Sequence, residues 1–347
     1  MKAWIVSNVH RKIVKGKNTL KYYKYLLLVT TVFILAILSA CSSNNSASSP
    51  KQDSDSKERY KFGVVLMTLN SEYWKIVMSG AKDAAKELGV DVQFFGPPEE
   101  SQYDQQNKMV EDLVTSGADA IIVAPSQAEA ILPALSTATQ KDIPVILADA
   151  DAKFENKVSF IGTENFKAGK LGGEFASKQL NLKNGDKVAI IRGQLGSKTH
   201  DDRTNGFKQA LKDKNINFII QDAQSDRLKA VNVMENILTA NSDIKAVFAT
   251  SDEMALGASK ALENKKKTEI PILGFDGTPN GLDALKNGKL TAEIAQKPYQ
   301  IGYSAVEAAY KTKQGKKVEK RIDTGASVIT EKNVKEEIEK INGYLGK

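Results

Sequence analysis

From Lys61 to the C-terminus, short runs that are apolar on both faces alternate with stretches whose apolar residues recur at helical spacing. Phe62 to Met67, Ala120 to Val123 and Pro144 to Leu147 offer no polar face. Strands of this kind must be covered on both sides, and in a βα alternation that means a parallel sheet between two helix layers. Trp74, Val77, Met78, Ala81, Ala85 and Leu88 mark one helical face, closed by Gly89. Met109, Val110, Leu113 and Val114 mark the next, capped from Ser101 and closed by Gly117, and a third helix is expected around Gln127 to Thr139. The pattern restarts at Val158. A helix from about Asn165 to Gln179 leads to strands at Lys187–Ile191, Asn217–Ile220, Ala246–Ala249, Pro271–Leu273 and Leu290–Ala295, with helices between them and a polar helix near Glu331–Tyr344 at the end. Two βα series of domain size predict an α/β fold of two doubly wound parallel-sheet lobes.

The N-terminus has a different character. Residues 1–24 hold seven basic side chains (Lys2, Arg11, Lys12, Lys15, Lys17, Lys21 and Lys24) and no acid, and an apolar run from Leu26 to Leu38 follows. Basic segment, short apolar run and small residues are the parts of a secretion signal. The run is short for a full membrane span of ~20 residues. It ends in Leu38-Ser39-Ala40-Cys41, which resembles a bacterial lipobox, and Cys41 is the only cysteine of the chain. Residues 1–40 are therefore expected to be a lipoprotein signal peptide and Cys41 the lipidated N-terminus. Residues 41–58, rich in Ser, Asn and charge, are expected to be a solvated tether.

The basic balance of the whole chain, 49 basic against 42 acidic residues, comes from that leader. Without it the two signs are equal, so no net field attracts nucleic acid or an anionic surface. No second cysteine is available for an intramolecular disulfide, and stability must come from burial. The 307 residues after Ala40 exceed what one core usually serves, which again predicts two domains.

In open α/β sheets, ligands bind beyond the carboxyl ends of the strands. In the first lobe those ends are Thr68-Leu69-Asn70-Ser71, Ala124-Pro125-Ser126 and Ala148-Asp149-Ala150-Asp151. In the second they are Arg192-Gly193-Gln194, Thr250-Ser251-Asp252 and Gly274-Phe275-Asp276-Gly277. Tyr73 and Trp74 sit one turn into the first helix. Carboxylates that accept, an arginine that donates and flat rings that cover C–H faces suit a small polyhydroxylated ligand. Asp252 reads as a helix N-cap, Gly274 to Gly277 as a turn, and Trp74 serves core packing as well as stacking. An enzyme is not expected. His200 is the only histidine beyond the leader, no G-x-S-x-G or phosphate-binding glycine motif occurs, and His200-Asp201-Asp202 reads as a solvated helix start rather than a metal site. No cofactor and no metal are expected.

Arg227 to Leu238, Ala246 to Gly257, Gly274 to Pro279 and Ala292-Glu-Ile-Ala-Gln296 resemble the ribose-type branch of the periplasmic sugar-binding proteins, a likeness that runs from about Tyr60 to the C-terminus. It implies two doubly wound lobes joined by three hinge strands, the type I periplasmic binding protein fold, with lobe I at 59–163 and 297–324 and lobe II at 164–296 and 325–347. It also implies a receptor that closes around one monosaccharide and feeds an ABC permease. The alternative is a sensor subunit that presents a sugar or a furanosyl signal such as autoinducer-2 to a membrane histidine kinase. By position the resemblance implies ligand aromatics at Tyr73 and Trp74, carboxylates at Asp149 and Asp276, a clamping arginine at Arg203 and a hinge glutamine at Gln296. Thr68, Asn70 and Ser251 join them from the strand ends. The chain departs from the family at Ala124, Ala150, Ser225 and Ser251, which stand where it has polar or aromatic partners, and Asp151 is expected to replace part of what Ala150 lacks. The lac-repressor relatives of this fold need a helix-turn-helix where this chain has its leader. The expected partners are a sugar, a permease and a membrane reached only through the lipid, with no nucleic acid and with the protein a monomer. A lipid tether suits the outer face of the cell membrane in a Gram-positive cell.

Overall fold

The computed structural model describes residues 59–347; the signal expected at 1–40, the lipidation site at Cys41 and the tether at 41–58 lie outside the described residues. The chain begins with β1 (Lys61–Val65), α1 (Glu72–Leu88), β2 (Asp91–Phe95), α2 (Tyr103–Ser116), β3 (Ala120–Val123), α3 (Leu132–Gln140), β4 (Val145–Ala148) and β5 (Ser159–Gly162). It then crosses into a second series. This comprises α4 (Asn165–Gln179), β6 (Lys187–Arg192), α5 (Lys198–Ala210), β7 (Asn217–Asp222), α6 (Arg227–Ala240), β8 (Ile244–Ala249), α7 (Asp252–Lys265), β9 (Ile272–Asp276), α8 (Pro279–Lys286) and β10 (Ala292–Ala295). It returns through α9 (Pro298–Lys313) and β11 (Arg321–Asp323), and ends with β12 (Ser327–Ile329) and α10 (Val334–Tyr344).

Two six-stranded sheets result, in the orders β11-β5-β4-β3-β1-β2 and β12-β10-β9-β8-β6-β7. β3 and β4 are buried along their whole length, which is why neither shows a polar face in sequence. Pairing is parallel except for β12, which runs antiparallel to β10. That strand is a product of the third crossing, which sends the chain back beside its own hinge. The chain passes between the sheets three times, after β5, after β10 and after β11. Asp323 Oδ1 accepts from the Glu164 backbone N–H at 3.1 Å and from that of Gly325 at 2.9 Å, so one carboxylate ties two of the crossings together. Thr324 N donates to Gly162 O at 3.1 Å and adds a second tie.

Three local readings of the sequence need correction. The second helix has Gln102, not Ser101, at its N-cap, and the Ser101 hydroxyl donates to Glu99 Oε2 instead. The third helix starts at Leu132 rather than near Gln127, because Pro133 suits only a first helical turn and the preceding residues form turns. β9 runs on through Asp276, since the parallel register with β10 pairs Asp276 with Ala295 and extends the strand through what reads as a turn.

The second lobe buries two carboxyl groups against each other. Glu293 on β10 is wholly buried and Asp252 nearly so. Gly274 and Gly281 make the space: a Cβ there would lie 2.2 Å from Glu293 Oε1 and 2.4 Å from Asp252 Oδ2. Asp252 does not cap its own helix. Its Oδ2 accepts from Thr278 N at 2.7 Å and from Thr278 Oγ1 at 2.6 Å, and so braces the start of the following helix. The other Asp252 oxygen and both Glu293 oxygens have no donor from elsewhere in the protein. Burial pushes Asp252 up to about 6 and Glu293 well above the usual carboxylate range, with the Asp252 charge adding to Glu293. A proton shared between the two resolves the conflict.

Both folded pKa values lie above the unfolded ones. The pair therefore favours folding at acid pH; its contribution is fully present below the unfolded pKa values and is lost as the pH rises through about 6 for Asp252 and higher for Glu293. Glu293→Gln supplies a permanent donor. It is expected to stabilise the protein at pH 7 by about 1–2 kcal/mol and to flatten the rise in wild-type stability between pH 8 and 5. Denaturant melts of both proteins at the two pH values check this, and a Glu293→Gln variant less stable at pH 7 would contradict it.

Candidate functional site

A cavity of about 340 Å³ lies where the C-terminal ends of strands from both sheets meet. Its wall draws on the ends of β1, β4, β8, β9 and β10 and on the first turns of α1, α5 and α6. Two hydrogen bonds span the lobes near it, from Gln127 Nε2 to Leu195 O at 3.4 Å and from Asn280 N to Glu72 Oε2 at 3.1 Å, so the two sheets stand in a closed arrangement.

Thr68, Asn70, Tyr73, Trp74, Asp149, Arg203, Ser251, Asp276 and Gln296 all line this cavity. Asp151 does not. The backbone turns through φ 64° at Asp149, and Asp151 is carried away to pair with Lys157 Nζ at 2.9 Å, with Arg321 3.8 Å from its other oxygen. Asp151 thus serves the surface of the first lobe, and the place beside Ala150 stays without a polar substitute.

Arg203 is the best anchored of these groups. α4 and α5 touch backbone to backbone, because a Cβ at Gly169 would lie 2.1 Å from the Arg203 carbonyl oxygen and one at Gly206 2.0 Å from that of Phe166. That contact brings Asn165 within reach: Arg203 Nε donates to Asn165 Oδ1 at 2.8 Å. Nη1 donates to Thr250 O at 2.7 Å and to Asp276 Oδ1 at 3.2 Å, and the guanidinium lies 3.9 Å over the Phe275 ring. Asp276 also accepts from Gln296 Nε2 at 2.7 Å. In the opposite lobe Tyr73 donates its hydroxyl to Asp149 Oδ1 and packs edge-on against Trp74, with ring centroids 5.1 Å apart.

Burial raises the pKa of Asp149 and, more strongly, of Asp276; Arg203 opposes it in both cases. Tyr73 is pushed well above its ordinary value by burial and then by the Asp149 charge, so it stays a donor. Asp149 and Asp276 both sit at positive φ, 64° and 116°, as do Gln224 and Ser225 at 54° and 55° in the same cavity lining. Backbone strain in non-glycine residues gathers where side chains must be aimed at one point.

Several lining residues escape sequence reasoning. Glu100 belongs to the loop after β2, a strand end like the others, and extending the strand-end rule to that strand would have reached it. Ser225 appears in the sequence only as a departure, and here it faces the cavity. His200 is not a solvated helix start. It is buried in the cavity wall with Nδ1 2.8 Å from Thr250 Oγ1, and Gly193 leaves room for the ring, since a Cβ there would lie 2.1 Å from Nε2. The acids that follow His200 in sequence drew that segment toward the surface in the reading, whereas Asp202 turns outward to Lys198 and His200 inward.

The periplasmic binding protein domain family matches residues 62–317 of this chain. The ribose import binding protein RbsB of Salmonella typhimurium is 35% identical over 291 residues, which make up 84% of this chain and 95% of the relative. The protein of the same description from Bacillus subtilis is 34% identical over 298 residues, 86% of this chain and 96% of the relative. The crystal structure of GanP, a glucose-galactose binding protein from Geobacillus stearothermophilus, is 33% identical with a TM-score of 0.75 and covers 80% of this chain and 99% of that one.

Burial, followed by the charges of Arg203 and Arg192, lowers the His200 pKa to about 3. The ring is therefore expected to stay neutral across the physiological range. Its NMR ring-proton shifts should hold constant from pH 8 to pH 5, and a titration midpoint near the ordinary histidine value would contradict this environment.

Proposed function

The chain belongs to the periplasmic binding protein domain family, and we propose that it is an extracytoplasmic receptor that binds a monosaccharide and delivers it to an ABC importer. The observation that carries this reading is the pair Asp149 and Asp276, one from each sheet, which line one buried cavity with Arg203 beside them. Carboxylates on opposite walls accept from hydroxyls on opposite edges of a sugar ring, the guanidinium donates to a ring or hydroxyl oxygen, and Tyr73 and Trp74 supply the apolar face. The relatives named for ribose import and for glucose and galactose binding support a saccharide ligand, and the import names support an importer as partner. Ala124 and Ala150, both buried, take two polar partners out of the ribose-type arrangement, which favours a ligand other than ribose.

The lobes proposed at 59–163 with 297–324 and at 164–296 with 325–347 move as rigid bodies about the three crossings, and closure removes water from Asp149, Arg203 and Asp276 together. The lipid on Cys41 holds the receptor at the outer face of the cell membrane beside its permease, as suits a Gram-positive surface.

Asparagine tolerates positive φ as aspartate does, so Asp276→Asn tests the charge without adding backbone strain. Asp276→Asn and Arg203→Ala are each expected to weaken saccharide binding by about 1.5–3 kcal/mol, roughly 10–150-fold. Calorimetric titration with the saccharide that gives the largest thermal shift measures this. Unchanged affinity in both variants would remove these residues from the site.

Cys41→Ser is expected to abolish incorporation of a radiolabelled fatty acid. Labelling equal to that of the wild type would rule out the lipid anchor.

A further inference from the structure

Among the carboxylates that line the cavity, Glu100 differs from Asp149 and Asp276. Asp149 has the Tyr73 hydroxyl, and Asp276 has Arg203 and Gln296. Among the described residues no lysine or arginine forms an ion pair with Glu100. Its loop is nevertheless held in place. Thr68 Oγ1, at the end of β1, donates to Pro98 O at 3.1 Å, the Glu99 N–H donates to Gln102 Oε1 at 3.2 Å, and Ser101 Oγ donates to Glu99 Oε2 at 3.3 Å. Pro97 and Pro98 remove further freedom from the segment. Glu100 therefore faces the cavity from a fixed loop, with Trp74 of one lobe and Ser225 of the other beside it.

The charge balance of the interior follows. Of the other acids in the lining, Glu99 is exposed, Glu253 is paired with Arg227 and Asp226 caps α6, and Lys229 is exposed and bonded to Gln224. Asp149, Asp276 and Glu100 then stand against one guanidinium, since His200 is neutral. A neutral sugar adds hydroxyl donors but no positive charge, and a phosphorylated or carboxylated sugar adds to the excess. Burial raises the Glu100 pKa and the Asp149 charge adds to it, while Ser225, Trp74 and, least, the Arg203 charge oppose it. A compact cation on the ligand would relieve both the burial and the repulsion.

Resting on the saccharide reading above, we propose that Glu100 is a specificity-determining residue and that the site takes an aminated polyol, an amino sugar or aminocyclitol, whose ammonium group meets Glu100 while its hydroxyls meet Asp149, Arg203 and Asp276. The β2–α2 loop then selects the ligand, and the strand ends grip it.

Matched probes test this. The detergent-solubilised full chain and its Glu100→Gln variant are titrated with D-glucose and D-glucosamine, D-galactose and D-galactosamine, and myo-inositol and an amino-deoxyinositol. In at least one pair the aminated member is expected to bind the wild type at least about tenfold more tightly than its neutral partner. Glu100→Gln is expected to remove that preference by weakening the amine about tenfold or more, while the neutral partner changes less than about threefold, with an unchanged melting temperature as the control for folding. Neutral members bound as tightly as aminated ones, or an equal loss of both in Glu100→Gln, would overturn the assignment of Glu100 and leave the saccharide receptor standing. Failure of the wild type to bind any of the six probes would overturn both.

Discussion

A buried guanidinium is costly unless every direction it points in is answered, and Arg203 sets the terms for the rest of the site. Its charge is met by Asp276, its N–H groups by Asn165 and the Thr250 carbonyl, and its face by Phe275. Those four partners come from three elements of the second lobe. Asn165 starts α4, Thr250 follows β8, and Phe275 and Asp276 end β9. The backbone contact of α4 with α5 through Gly169 and Gly206 fixes the stem of the arginine, and the β9–β10 register fixes the acid. Packing far from the ligand position thus decides where one positive charge stands in the cavity.

The opposite wall is organised by the same physics with the sign reversed. Asp149 is a buried acid held by the Tyr73 hydroxyl on α1 and aimed by a left-handed backbone at the end of β4. Neither wall alone surrounds a small molecule. The hinge links them: Gln296, just after β10 where the chain leaves the second lobe, donates to Asp276, and Asp323 ties the crossing after β5 to the one after β11. Gln296 thus belongs both to a crossing and to the cavity wall. Asp252 and Glu293 add a buried carboxyl pair to the same lobe, with the Asp252 pKa raised to about 6 and that of Glu293 well above the usual range.

The fold was legible because β3 and β4, apolar on every face, leave no alternative to a covered parallel sheet. The strand-end rule then located Asp149 and Asp276 without regard to any relative. It could not separate Asp149 from Asp151, because the difference is a single positive φ that aspartate permits but does not announce. His200 was misread because its two acidic neighbours suggested water, while the glycine that makes room for its ring lies seven residues earlier on another element. Asp252 looked like a cap for its own helix, whereas it accepts from Thr278, the N-cap of the following helix, a contact that only the tertiary fold creates. Local chemistry is readable in a sequence, whereas the partner of a buried polar group is set by tertiary neighbours.

The central claim is that one saccharide is held by both lobes at once, between Asp149 on one side and Arg203 with Asp276 on the other. A crystal structure of the chain grown with its tightest-binding saccharide tests this most directly. The account predicts density for a single ring in the cavity, with hydroxyls within hydrogen-bond distance of Asp149, Arg203 and Asp276 and an apolar face against Tyr73 or Trp74. A ring bound to residues of only one lobe, or seated outside this cavity, would contradict it.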